Sequence, residues 1–111
     1  MKELFGGVYA NEVNLKCPHC GGDYLHHGDV HVFSRLREDS DDGTHVVVSS
    51  TGGVSAGKSL DMRLNPSARR NGVLIKLQCE GCHGVSALSI AQHKGVTLVD
   101  IGKVSERIDY S

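Results

Sequence analysis

Val73-Leu74-Ile75-Lys76-Leu77-Gln78-Cys79-Glu80-Gly81-Cys82-His83-Gly84-Val85-Ser86-Ala87-Leu88-Ser89-Ile90 is the stretch from which the fold is read. Val73, Ile75, Leu77 and Cys79 fall on alternate residues, the period of a strand with one buried face. Leu88 and Ile90 repeat that spacing in a second strand beginning near Val85. Between the two, Cys79 and Cys82 stand two residues apart at a turn. That spacer lets one tight turn offer two sulfurs to the same tetrahedral ion, and the Gly that follows gives the chain freedom to bend back. The stretch therefore predicts a hairpin with a metal-binding knuckle at its tip.

Upstream, Cys17-Pro18-His19-Cys20-Gly21-Gly22 repeats the pattern, with Val13 to Lys16 leading in as the arm of another hairpin. Two such knuckles are the layout of a zinc ribbon, so Cys17, Cys20, Cys79 and Cys82 are the expected ligands of one structural Zn2+. The 58 residues between the pairs exceed the roughly 15 to 20 of the compact pattern. The intervening chain then has to be an insertion, and closing a longer loop costs only logarithmically more.

Working outward, Asp29 to Arg37 alternates, with Val30, Val32 and Leu36 on one face and Asp29, His31, Phe33, Arg35 and Arg37 on the other. Glu38 to Gly43 reads as a six-residue hairpin loop leading to a strand at Thr44 to Val48, and Lys94-Gly95 as a turn into a last strand, Val96 to Ile101. A weak helical period appears only near Leu4 and around Val104 and Ile108. Val accounts for 13 residues, a composition suited to strands. The expected fold is mainly β: one domain over 1–111, an antiparallel meander with a zinc ribbon formed by the two CxxC knuckles. Ser49 to Gly72, a 24-residue Gly/Ser-rich and basic connection, is expected to be a flexible loop with either a functional role or no fixed structure.

The chain has 111 residues, of which 14 are Gly, none Trp and only five aromatic. Such a core buries little area, so metal is expected to supply part of the stability. Met1 to Ala10 carries Lys2 and Glu3 and lacks the apolar run of a secretory signal, and no run approaches the roughly 20 residues that span a bilayer. A cytoplasmic, reducing location follows, where paired cysteines more often hold metal than form disulfides. Cys17-Pro18-His19-Cys20 also resembles the active site of strongly oxidising thioredoxin-fold proteins. That chemistry needs a helix N-terminus, which Gly21-Gly22 opposes.

The seven histidines contain no H-E-x-x-H cluster. His19, His26, His27, His31 and His83 are therefore read as groups around the thiolates or on the surface, and His45 and His93 as structural. Gly52-Gly53-Val54-Ser55-Ala56-Gly57-Lys58-Ser59 matches the letters of a phosphate-binding P-loop. The mechanism requires a helix beginning at Lys58, and Asn65-Pro66 leaves little room for one. The net charge of -1 sums an acidic first half and a basic second half. His31, Phe33, Arg35 and Arg37 on one strand face, with Arg69 and Arg70 from the basic loop, form a candidate nucleic-acid surface on which a base would stack and phosphates pair.

These features rank three functions. The first is a structural-zinc protein acting as a protein-interaction or regulatory adaptor, the second a nucleic-acid-binding zinc ribbon, the third a nucleotide binder. No catalytic set is expected. The partner is a macromolecule, protein or nucleic acid, and not a membrane.

Leu15 to Gly22, Gly43-Thr44-His45, Asn65-Pro66-Ser67, Arg69-Arg70, Cys79 to Cys82 and Gln92-His93-Lys94-Gly95 together resemble small uncharacterised zinc-ribbon proteins of actinobacteria and their phages. The likeness runs from Leu15 to Gly95, with the Cys pairs as its specific motifs. It implies bound zinc and a cytosolic location, and a phage origin would imply a host-takeover or regulatory binder.

Overall fold

Every element placed in the computed structural model, which describes residues 2–5, 8–10 and 13–104, is a strand or a turn. β1 (Lys2–Phe5) and β2 (Val8–Ala10) form a small antiparallel pair. β3 (Leu25–Arg35), β4 (Gly43–Val48), β5 (Val54–Ser59), β6 (Gly72–Cys79), β7 (Val85–His93) and β8 (Val96–Lys103) form one antiparallel sheet in the order β5-β4-β3-β6-β7-β8. The β-branched and alternating runs thus give the mainly β antiparallel fold. No helix among the described residues is long and apolar enough to cross a membrane. Leu4 lies in β1 and Val104 directly after β8, where a helical period had been read, and Ile108 lies outside the described residues.

Tight turns set the registers. Lys94 and Gly95 both have positive φ, 46° and 83°, the conformation a two-residue hairpin turn demands. They align His93 with Val96 and Ala91 with Leu98. In β3 the register shifts between His27 and Val30. This bulge spends one extra residue and so keeps His27 and Val30 on one face, opposite Leu77 and Ile75.

The connection Ser49 to Gly72 is more ordered than its composition predicts. Its first part turns at Ser49–Gly53 and returns as β5 along the edge of β4. The turn is fixed from β3, where the buried Asp29 carboxylate accepts from the Ser50 N–H at 2.8 Å. Residues 60–71 then fold as turns over one face of the sheet, burying Met62, Asn65 and Ser67. Gly43 and Gly72 are the points of closest approach. A Cβ at Gly43 would collide with the Ser34 carbonyl and Met62, and one at Gly72 with Asn65 and Pro66.

That covered face is the one carrying His31 and Phe33, which reverses the orientation expected from the sequence. Phe33 is 1% exposed and His31 2%, whereas Val32 is 38% and Leu36 69% exposed. Phe33 stacks on His45 with ring centroids 4.3 Å apart, and His31 stacks beside it at 5.1 Å from His45. On the same face, Leu74 packs with Val85, Ala87 and Val104 nearer the cysteine end of the sheet.

Candidate metal centre

The two cysteine pairs, far apart in sequence, meet at one end of the sheet. β6 delivers Cys79 as its last residue, and the turn to β7 carries Cys82. The first knuckle lies in the irregular chain just before β3, so it has a strand only on its C-terminal side and is not a hairpin tip. Its position is set by the pairing of Leu25 with Cys79 at the start of β3. The Glu80 N–H also donates to the Tyr24 carbonyl at 2.9 Å.

Both knuckles follow one hydrogen-bonding plan. Cys17 N–H donates to the Gly22 carbonyl and Gly21 N–H to the Cys17 carbonyl; Cys79 N–H donates to the Gly84 carbonyl and His83 N–H to the Cys79 carbonyl. The fourth residue after the first Cys takes positive φ in each, 77° at Gly21 and 60° at His83. The turn aims backbone N–H groups at sulfur: His19 N to Cys17 Sγ at 3.4 Å, Cys82 N to Cys79 Sγ at 3.5 Å and Gly84 N to Cys82 Sγ at 3.3 Å.

The four Sγ atoms lie within 4.8 Å of one another. Cys17 and Cys82 are 3.7 Å apart, Cys20 and Cys79 3.6 Å. Four sulfurs at 2.3 Å from a tetrahedral zinc would have edges of roughly 3.8 Å. A disulfide would bring its sulfurs to about 2.0 Å, and all four cysteines are free thiols. Cys17 and Cys79 are buried, Cys20 and Cys82 exposed.

The electrostatics of the cluster also call for a cation. The N–H of Cys82, helped by that of Gly81 and by the Cys20 and Cys82 thiols, brings the Cys79 thiol down to about 6 against the effect of burial. At Cys20 the Gly22 N–H favours the thiolate, but hydrogen bonds with the Cys79, Cys82 and Cys17 sulfurs, with burial, outweigh it and push the thiol up to about 12. One thiolate in the group thus opposes ionisation of its neighbours. A dication at the centre removes that conflict.

Sequence reading did not find the contacts that lock the knuckles together. His19 Nε2 donates to the Val85 carbonyl at 2.7 Å, across the centre from the first knuckle to the second. His26 pairs with Glu80 at 3.1 Å, and Lys16 with Asp23 at the base of the first knuckle. The signal for the first contact is the Gly after the second knuckle. A Cβ at Gly84 would stand 2.7 Å from His19 Cδ2.

The other predicted site residues are placed differently. His31 and Phe33 are buried and unavailable for stacking. Arg35 is turned inward with its side chain 5% exposed. Its guanidinium donates to the carbonyls of Arg70 (2.9 Å), Ser40 (2.6 Å), Ser67 (2.9 Å) and Ala68 (3.1 Å). Arg69 pairs with Asp39 and Glu38, and Arg70 with Glu38. Arg37 is exposed. The six residues therefore do not share an outward surface. Arg35 is the anchor of segment 60–71, and Arg69 and Arg70 neutralise the acidic loop. In the P-loop match, Lys58 sits within β5 opposite Thr44. The stretch is a turn and an edge strand, not a loop feeding a helix N-terminus.

Comparison with protein-family models, with curated proteins and with solved structures finds no match to this chain.

Proposed function

We propose that Cys17, Cys20, Cys79 and Cys82 hold one structural zinc ion, and that the domain it closes is a protein-interaction or regulatory adaptor working in a reducing, cytoplasmic compartment. The observation that carries the metal reading is the convergence of four free thiols on edges close to those of a zinc tetrahedron. Zinc suits the site because thiolate ligands select soft or borderline ions and a complete tetrahedral shell has no open position for a substrate. Four unpaired thiols fit a compartment that keeps cysteine reduced.

The adaptor reading is favoured over nucleic-acid binding by where the cationic and aromatic groups lie. Phe33 and His31 are core residues, and Arg35, Arg69 and Arg70 are occupied within the chain. Nucleotide binding is disfavoured because Lys58 lies in a strand.

Elemental analysis of the purified protein should give one zinc per chain, and a strong chelator at neutral pH should lower its melting temperature or unfold it. Metal-free protein that melts unchanged in chelator would overturn the metal reading. Fluorescence anisotropy with single- and double-stranded DNA and RNA at low salt should show no binding. Binding that falls steeply with salt would replace the adaptor with the nucleic-acid reading.

A further inference from the structure

The face of the six-stranded sheet opposite Phe33 is built of two unbroken cross-strand rows. One runs Val54, Val48, Val30, Ile75, Leu88, Ile101; the other Ala56, Val46, Val32, Val73, Ile90, Val99. All twelve side chains are aliphatic, and none is buried. Val54 is 70% exposed and Val99 64%. Beyond the second row the next positions are polar, Lys58, Thr44 and Ser34, with Gln92 and Thr97 on β7 and β8; beyond the first, the face passes to Leu77 and Ser86, both buried within the chain, and to Lys103 on β8.

An apolar centre with a polar margin is the anatomy of a protein interface. A sheet is stable when both faces are covered or the uncovered one is polar, and here segment 60–71 covers only the Phe33 side. We infer that this aliphatic face is the interface of a homodimer, in which the sheets of two copies pack face to face about a twofold axis.

A second copy fits for three reasons. Sheet-on-sheet packing needs a flat, pleated, uncharged partner about 10 Å away with interdigitating side chains, and the same face supplies one. The twelve residues include no charge to repel an identical surface. They also include no aromatic or arginine anchor of the kind that dominates contacts between unlike proteins. Six strands at about 4.8 Å and two residue rows at about 6.8 Å make an apolar centre of roughly 390 Å² per copy; with the polar row beyond Val32 the face reaches roughly 600 Å², hence about 1,200 Å² in the pair, the lower end of stable interfaces.

Sedimentation velocity and light scattering on the full chain, as purified with its metal, test the inference between about 1 and 200 µM. The expected result is a species of twice 11.9 kDa with a micromolar midpoint. Val32→Lys, at the centre of the face, should weaken association at least tenfold while zinc content and the β circular-dichroism signal stay unchanged. If Val32→Lys fails to fold, the Val54→Lys/Val99→Lys pair, on exposed edge strands, decides in its place. Leu98→Lys, on the opposite face of β8, should leave the dimer intact. A chain monomeric at 200 µM overturns the proposal. So does a dimer that survives the face variants, or one that only Leu98→Lys dissolves, which would mean pairing of β8 edges.

Discussion

His19 Nε2 and the Val85 carbonyl lie 2.7 Å apart, so a side chain of the first knuckle is bonded to the backbone leaving the second. A carbonyl only accepts, which fixes the proton on Nε2. The bond passes over Gly84, where a Cβ would stand 2.9 Å from His19 Cγ and 3.1 Å from Cys82 Sγ. Gly84→Ala and His19→Ala should each release zinc to a chromogenic chelator about tenfold faster than the parent, as loss of a contact supporting the ligands does. Equal release rates for all three proteins would show that the bond does not brace the centre.

The matching knuckles make opposite predictions at equivalent positions. Gly21 and His83 both have positive φ, a conformation that costs an L-residue about 1 kcal/mol or more. Gly21 has nothing within 4 Å of an added Cβ, so Gly21→Ala should destabilise through the backbone alone, by about 1 kcal/mol. His83→Gly should stabilise by about 0.5 kcal/mol, since the strain removed slightly exceeds the freedom added to the unfolded chain. Urea midpoints of the two variants, measured with metal in excess, check both signs.

Arg35 holds the carbonyls of three residues in segment 60–71 and of Ser40 in the acidic loop. Arg35→Met should cost about 2 kcal/mol in equilibrium unfolding, because three part-buried acceptors and one exposed acceptor lose a charged donor. Limited proteolysis should move to the 60–71 segment. Arg35→Lys should recover only part of the loss, since an ammonium cannot span the fork of acceptors that a guanidinium does.

His31 Nδ1 and His45 Nε2 are 2.9 Å apart, and a hydrogen bond between two ring nitrogens requires that one be unprotonated. Burial holds the His45 imidazole below its usual 6.5. The unfolded chain therefore takes up this proton at a higher pH than the folded one. The stabilisation is fully present above about pH 6.5 and is lost as the pH falls through the lower folded-state value. Melting temperatures across pH 7 to 5 should decline, and His45→Gln should decline less. Parallel curves would exclude the histidine pair as the source.

Much of the sheet was legible because its strands obey simple patterns. β4, β6, β7 and β8 follow alternating or continuous β-branched runs. β5 was hidden because Val54 to Ser59 is rich in small residues and shares the letters of a phosphate loop. It is held by pairing with β4, which local sequence does not report. The alternation in β3 divides the strand into two faces but does not say which is covered. Polarity pointed the wrong way because Asp29, His31 and Arg35 each find partners inside: the Ser50 N–H, the His45 ring and a set of turn carbonyls. The four cysteines needed only spacing to be recognised. The His19 to Val85 contact spans 66 residues and depends on folded geometry alone.

The separation of the two cysteine pairs also sets a timetable for biosynthesis. Cys82 follows the strands β3 to β6 in the sequence, so all of these must be translated before all four thiols exist. The strands β3 to β5 have been synthesised by then, with β4 as the common partner of β3 and β5. β6 must arrive beside β3 to bring Cys79 to Cys20. A chain stalled before residue 79 carries only two of the four thiols, so on the proposed metal reading the complete site forms only after the strands β3 to β5 have been made.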